Sequence, residues 1–451
     1  MQAPSTPILN PTARRTRERA GLPVVRGAFP IVGHLPALAS DPLGLDRLGE
    51  REVGPVFWTE VGFGKWQLRC LLPESFDLFK NVQTSSDYVS ESVPDLFGRS
   101  LITLDGKPHR HARSVMGPAF TPKGLSSAKV GALFAEIIER HVQGWIDRGA
   151  ITTLASTREL VLALILRMLG VPEGDLGEWR RDYEEHMLLG LNVPIDLPGL
   201  PRRRGLVAKK RLDARIGALV RAARAGSDTT ILAQLARAKG ENGEPLDEAE
   251  LLDNLRLLIL AGHETTATVV AWSLAILAER PALLERLQAE ATAASDVPRA
   301  PGDLRAFPFT EALFREVLRL HPPVAHDARR VVVDLDLGGR RVPAGTIVAI
   351  SIQHLSRSPA SYDDPDSLAP ERWMRKTQPP TPLELVQFGG GPHFCLGYHV
   401  AWLEVVQTLV ILARALHARG VRLALDGPFP RARHLPLRHP EPAARIRFVL
   451  A

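Results

Sequence analysis

From about residue 123 to 320, apolar residues recur three and four positions apart, in stretches such as "ALFAEIIERHVQGWI", "TRELVLALILRMLG" and "FTEALFREVLRLHPP". That period puts one apolar stripe on each segment and predicts a long run of helices. The flanks follow a different period. "GPVFWTEVGFGKWQLRCLLPES" and "ARRVVVDLDLGGRRVPAGTIVAISI" alternate around glycine-rich turns and predict short strands. "AWLEVVQTLVILARALHARG" predicts a last long helix closed by glycine. No fixed-period repeat is visible, which excludes solenoids and propellers. The expected fold class is mainly α with small β-sheet regions.

One helix, "EAELLDNLRLLILAGHETTATVVAWSLAILAERP", is apolar almost all round, as a helix in the middle of a large protein is. "AGHETT", residues 261 to 266, interrupts it too strongly for a bilayer span. Ala261 and Gly262 remove bulk, and Thr265 can bond its own backbone, so a groove or π-bulge is expected there. Glu264 is expected to be buried and unpaired, a costly state that favours a functional role over a structural one.

The composition is that of an ordinary globular protein: 451 residues, 45% hydrophobic and 24% charged. Its two cysteines, Cys70 and Cys395, cannot form a disulfide framework or a four-thiolate zinc site by themselves, and a reducing compartment is expected. Basic residues give a net charge of +6 but are spread along the chain, which favours an acidic protein partner over nucleic acid. The N-terminus holds no apolar stretch long enough for a signal peptide or a membrane anchor. Residues 1–27 are read as a flexible tail.

"FGGGPHFCLG", residues 388 to 397, sets one cysteine among glycines. A haem iron held by a single axial thiolate needs this arrangement. Backbone N–H groups shield the sulfur, glycines let the loop lie flat under a planar macrocycle, and the following helix turns its N-terminal dipole toward the anion. Cys70, in a strand-like stretch, is read as an inert small hydrophobe.

This loop resembles the haem-binding loop of the cytochromes P450, in which Phe388, Gly389, the basic His393, Cys395 and Gly397 fall at the family's spacing. "EVLR" resembles the family's buried Glu-x-x-Arg, here Glu316 and Arg319, and "PERW" supplies Arg372 as the third member of that network. "AGHETT" resembles the oxygen-activating segment of a long central helix over the haem, which includes Ala261. The resemblance runs from about residue 28 to the end and implies one P450 domain over 28–451 with haem b as cofactor. His109 and Arg113, four apart on one helical face, match the family's propionate-binding pair. His393 and Arg329 stand at matching positions, with Arg330 a rival for Arg329.

The resemblance further implies that Glu264 and Thr265 are the acid and alcohol that deliver protons during oxygen activation. It implies a monooxygenase that inserts one atom of O2 into a hydrophobic small molecule, with Leu258, Ala261, Val324 and Ala325 lining the pocket. "LNVPIDLPGLPRRRGLVAKKRL" resembles the segment after the roof helix in the branch acting on terpenoid-derived compounds, which favours a terpenoid or steroid. No flavin or iron–sulfur segment is left over, so electrons are expected from a ferredoxin and its reductase, reaching a cytoplasmic monomer. The rivals are a P450-fold peroxygenase or isomerase, and a non-catalytic haem-binding sensor. Turnover that requires both an electron donor and O2 separates them from the monooxygenase.

Overall fold

The computed structural model describes residues 6–12, 17–193 and 195–450. The helices that position the site are α1 (Gly106–Met116), α2 (Val130–Arg148), α3 (Thr153–Met168), α4 (Leu176–His186), α5 (Pro201–Ala225), α6 (Glu248–Glu279), α7 (Pro308–Leu320) and α8 (Tyr398–Arg419). The apolar run that stands out in the sequence is α6, 32 residues long. Asp247 caps it, accepting from Glu250 N at 2.7 Å, and α3, α7 and α8 pack around it. The largest apolar core lies among these helices and encloses Trp145 and Trp272.

No π-bulge opens at residues 261–266, where α6 continues as α-helix. Thr265 Oγ1 donates to Ala261 O at 2.6 Å, the back-bond that a helical threonine can make without displacing a backbone bond. Gly262 serves packing instead. A Cβ there would stand 2.6 Å from Ile165 Cδ1, so its absence lets α3 cross close to α6. Both α6 and α8 are long and apolar enough to span a membrane, α6 despite its interruption. Their most apolar windows are 61% and 83% buried within the protein, which identifies them as core helices.

The main sheet has seven strands: β1 (Arg17–Arg19), β2 (Leu22–Val24), β3 (Val56–Glu60), β4 (Trp66–Cys70), β5 (Thr84–Ser85), β6 (Asp327–Val331) and β7 (Ile347–Ile350), in the order β1-β2-β3-β4-β7-β6-β5. β4 and β7 run parallel, with Cys70 opposite Ile350. β6 is antiparallel to β7, with Arg329 opposite Val348. β5 then sets Ser85 opposite Arg330, which brings the segment around residues 84–88 against β6.

The ordered fold begins before residue 28. After the turn at Gly21, Leu22, Val24 and Val25 are buried, and Arg17–Arg19 and Leu22–Val24 of the expected tail are strands of the sheet. Residues 1–5 and 13–16 of the expected tail lie outside the described residues. Cys70 sits fully buried in β4, where burial pushes its thiol up to about 12. It is inert packing, as the sequence suggests.

Candidate active site

The cysteine loop is closed by its own backbone. Cys395 N donates to Phe388 O at 2.8 Å, and Phe394 N donates to Gly391 O at 3.1 Å. Gly389 and Gly391 take φ of +71° and +57°, and a Cβ on Gly391 would stand 2.5 Å from Phe79 O. These are the two positions where the turn requires glycine. Behind the loop Phe388, Tyr398 and Trp402 form an aromatic stack, with ring centroids 4.8 Å apart for Phe388–Tyr398 and 5.0 Å for Tyr398–Trp402. Gly397 is the N-cap of α8, and its N–H is directed at the Cys395 sulfur.

Burial pushes the Cys395 thiol up from its ordinary range, against the opposing pull of the Gly397 N–H and the Arg113 charge. The dipole and the amide are therefore in place, but a coordinating cation is what would hold this sulfur as a thiolate.

Glu316 and Arg319 form the buried core of the network that supports the loop, both wholly inaccessible. Arg319 Nε and Nη2 donate to the two Glu316 oxygens at 2.9 and 2.7 Å. Arg372 Nε and the Ala369 amide donate to Glu316 Oε1 at 3.0 and 2.9 Å, and Trp373 Nε1 donates to Oε2 at 2.8 Å. Arg319 also reaches the carbonyls of Ser356, Pro365 and Ser367. With its lone pairs satisfied, this carboxylate fixes the chain before the cysteine loop to α7.

Four basic side chains converge beside the loop. Arg113 Nη1 donates to Phe394 O at 2.7 Å, and the His109 and His393 rings lie against each other with centroids 4.1 Å apart. Alternation along β6 separates the two neighbouring arginines. Arg330 points outward and pairs with Asp87 and Glu91, whereas Arg329 is buried, its guanidinium over the Phe79 ring and its Nε without a partner. Arg329, not Arg330, is the inward base. Among the described residues neither Arg113 nor Arg329 has a carboxylate partner, and of the two histidines His393 meets one, Asp105 at 3.2 Å. The two propionates of haem b fit that deficit, and Cys395 fits its iron.

On α6, Leu258, Ala261, Glu264 and Thr265 remain accessible while His263 and Thr266 beside them are buried. Ala261 is exposed although it lies in the middle of a core helix. Val324 and Ala325, in the chain between α7 and β6, are likewise part-exposed. Glu264 is not unpaired. Arg158 of α3 donates to its Oε2 from Nε at 3.0 Å and from Nη2 at 2.7 Å. His263 is locked beside it, with Nε2 donating to Arg158 O at 2.9 Å and Nδ1 accepting from Tyr183 of α4 at 3.1 Å. Burial lowers the affinity of His263 for a proton, in keeping with that neutral tautomer.

The residues singled out in the sequence thus fall into a loop with its basic cradle, a buried supporting network, and an accessible helix face. Sequence reasoning missed Arg158, Trp373 and Trp402. Trp373 carried a signal, since it follows Arg372 directly in "PERW". Arg158 carried none, being 106 residues from Glu264.

The profile of the family described as "Cytochrome P450" matches residues 208–418. Cytochrome P450 BJ-4 homolog of Sinorhizobium fredii is 42% identical over 443 residues, covering 98% of this chain and 99% of the relative. Cyclooctat-9-en-7-ol 5-monooxygenase of Streptomyces melanosporofaciens is 30% identical, covering 88% of this chain and 89% of that one. Among solved structures, retinoic acid-bound cyanobacterial CYP120A1 superposes with a TM-score of 0.80 at 24% identity, over 93% of this chain and 97% of the other.

Proposed function

Because the chain belongs to the cytochrome P450 family, whose members are haem-thiolate monooxygenases with haem b as cofactor, we propose that it oxidises a C–H or C=C bond of a terpenoid or steroid using electrons from a ferredoxin. The observation that carries the substrate class is a set of accessible apolar side chains, which we read as the wall of an interior space: Leu258 and Ala261 on one helix face, and Val324 and Ala325 on the loop after α7. The relative named for a cyclooctatenol and the structure holding retinoic acid are both terpenoid cases and lend it support.

Each residue has a role in this reading. Cys395 would hold the iron, and the Gly397 amide and Arg113 limit the negative charge on its sulfur. His109, Arg113, His393 and Arg329 would hold the propionates. When bound, haem b supplies the oxygen chemistry. Glu264 collects a proton on its carboxylate, and the neighbouring Thr265 hydroxyl relays it toward the interior space. Arg158, whose side chain is 35% exposed, connects Glu264, 13% exposed, with the outside. Gln or Val in place of these two groups would leave the space intact and remove the relay.

The two cysteines are both free, and neither they nor any four-cysteine set can hold an iron–sulfur cluster in this chain. In this reading the electrons come from a ferredoxin. Lys80, beside Gly391 of the cysteine loop, and Lys107 and Arg110, on α1, are exposed and form no ion pair among the described residues, which suits an acidic ferredoxin. Free thiols also suit a reducing cytoplasm, where we place the protein as a monomer.

The test is a spin-state titration with terpenoids, steroids and fatty acids, followed by turnover with ferredoxin, its reductase and O2. The reading expects a terpenoid or steroid to shift the spin state at the lowest concentration and to yield an oxygenated product. Tightest binding and turnover of a fatty acid would overturn it.

A further inference from the structure

We infer that Asp105, just before α1, is a haem-positioning residue that acts through His393, the two forming with His109 a single unit against one side of the cofactor. The inference rests on the haem reading above.

Asp105 has no part in the family motifs that the sequence displays. Its carboxylate stands at a junction of three segments. Oδ1 accepts from His393 Nε2 at 3.2 Å, across 288 residues of chain. Oδ2 accepts from the Ser86 amide at 2.8 Å and from Ser85 Oγ at 2.7 Å, and Ser86 Oγ donates to Oδ1 at 3.1 Å. Ser85 lies in β5, which is paired to the strand carrying Arg329. Burial would raise the affinity of Asp105 for a proton, but His393 and the two serines hold it below the ordinary carboxylate range.

These contacts dictate how the His393 ring is set. A ring with two soft torsions at a loop position rotates freely unless one nitrogen is tied. Asp105 ties Nε2, and the His109 ring packs against one face at 4.1 Å and an interplanar angle of 31°. What is left is one edge, carrying Nδ1, held in a fixed direction. His109 is held in turn by α1, whose first residue follows Asp105 directly. A carboxylate among four bases also limits their mutual repulsion, while leaving Arg113 and Arg329 free for the propionates. Fixing the ring before the cofactor arrives removes an ordering cost that a mobile histidine would otherwise incur on binding.

The experiment is a double-mutant cycle on haem retention, read as the rate of haem transfer from the ferric holoprotein to excess apomyoglobin. Wild type, Asp105→Ala, His393→Ala and the double variant are compared, with circular dichroism checking the fold of each. Asp105→Ala and His393→Ala are each expected to lose haem about tenfold faster than wild type, the range for a charge-assisted hydrogen bond. The double variant is expected to match His393→Ala to within about twofold, because Asp105 has nothing to position once the ring is gone.

Should Asp105→Ala fail to fold, the same cycle is read with Asp105→Asn, which fills the same space with a weaker acceptor. Haem loss at the wild-type rate in the Asp105 variant would overturn the inference. A full multiplicative effect of the Asp105 change on top of His393→Ala would also overturn it and assign Asp105 to the backbone of residues 84–87 instead. A wild-type protein that binds no haem would remove the reading beneath it, an outcome visible in the spectrum before any variant is made.

Discussion

Arg158 donates two hydrogen bonds, at 3.0 and 2.7 Å, to a single oxygen of Glu264, and the other oxygen is left 3.5 Å from His263 Nδ1. Since His263 Nδ1 already accepts from Tyr183, it offers that oxygen no hydrogen. One half of the carboxylate is anchored toward α3 and the other is unengaged. A group meant only to neutralise Arg158 would gain from bonding on both oxygens. This one keeps an oxygen in reserve, one residue before Thr265 in the chain.

The Glu264→Gln substitution preserves the shape and removes the proton carrier. It is expected to lower turnover about 100-fold, at the low end of general acid–base effects, with the carbon monoxide spectrum unchanged. Arg158→Met is expected to lower turnover in the same direction by a smaller factor and to raise the solvent deuterium isotope effect. Steady-state assays in H2O and D2O check both. An Arg158→Met variant with wild-type turnover would leave the pair as mere packing.

Thr265→Val keeps the volume but loses the hydroxyl that now bonds Ala261 O at 2.6 Å. Reducing equivalents are expected to be consumed at an undiminished rate and to yield less product and more hydrogen peroxide. Measuring product and peroxide per electron pair consumed tests this.

Glu316 accepts from Arg319, Arg372, Trp373 and the Ala369 amide, and is fully buried. Glu316→Ala would strand two guanidinium groups in the core. A loss of about 3–5 kcal/mol is expected from breaking one side of such a buried pair. Denaturant unfolding of the holoprotein, with haem release followed in parallel, measures it. Arg140, whose ion pairs with Glu136 and Glu173 lie on the surface, serves as the control, and Arg140→Ala is expected to change stability by less than about 1 kcal/mol.

His186, at the end of α4, is buried with Nδ1 unpartnered, and burial together with the Arg256 charge lowers its proton affinity to about 3. The unfolded chain binds that proton near pH 6.5 and the folded chain does not, so stability is full above pH 6.5 and falls as the pH drops toward 3. At pH 5 this one group is expected to cost about 2 kcal/mol. His186→Leu removes the cost, and urea unfolding of both proteins at pH 7.5 and pH 5 should show the difference only at the lower pH.

How far the sequence led depends on the range of each contact. The cysteine loop, the Glu316–Arg319 pair and the long helix were legible because their residues lie within a few positions of one another, where turn chemistry and helical spacing apply. Contacts across the chain were not. Nothing near Glu264 signals Arg158, and nothing near His393 signals Asp105, because each pair meets only when separate elements pack. Arg329 and Arg330 were separable in principle, since neighbours in a strand face opposite ways, but the direction of the core was unknown until β6 was placed. Residues 261–266 suggest a groove or π-bulge in the helix. The small side chains there admit another helix instead.

Exposed Lys107 and Arg110 sit on α1, the helix that sends Arg113 to the cysteine loop. Reversing both to Glu is expected to slow reduction by an acidic ferredoxin about tenfold at low salt, with the gap closing as ionic strength rises. Stopped-flow reduction under carbon monoxide at two salt concentrations checks this.

The most direct test is the difference spectrum of the dithionite-reduced protein with and without carbon monoxide. Ligation of haem iron by the Cys395 thiolate predicts a Soret band shifted strongly to the red. That band should be lost in Cys395→Ser and kept in Cys70→Ser. A wild-type band at the position typical of histidine or neutral-thiol ligation, or a red-shifted band that survives in Cys395→Ser, would contradict the account.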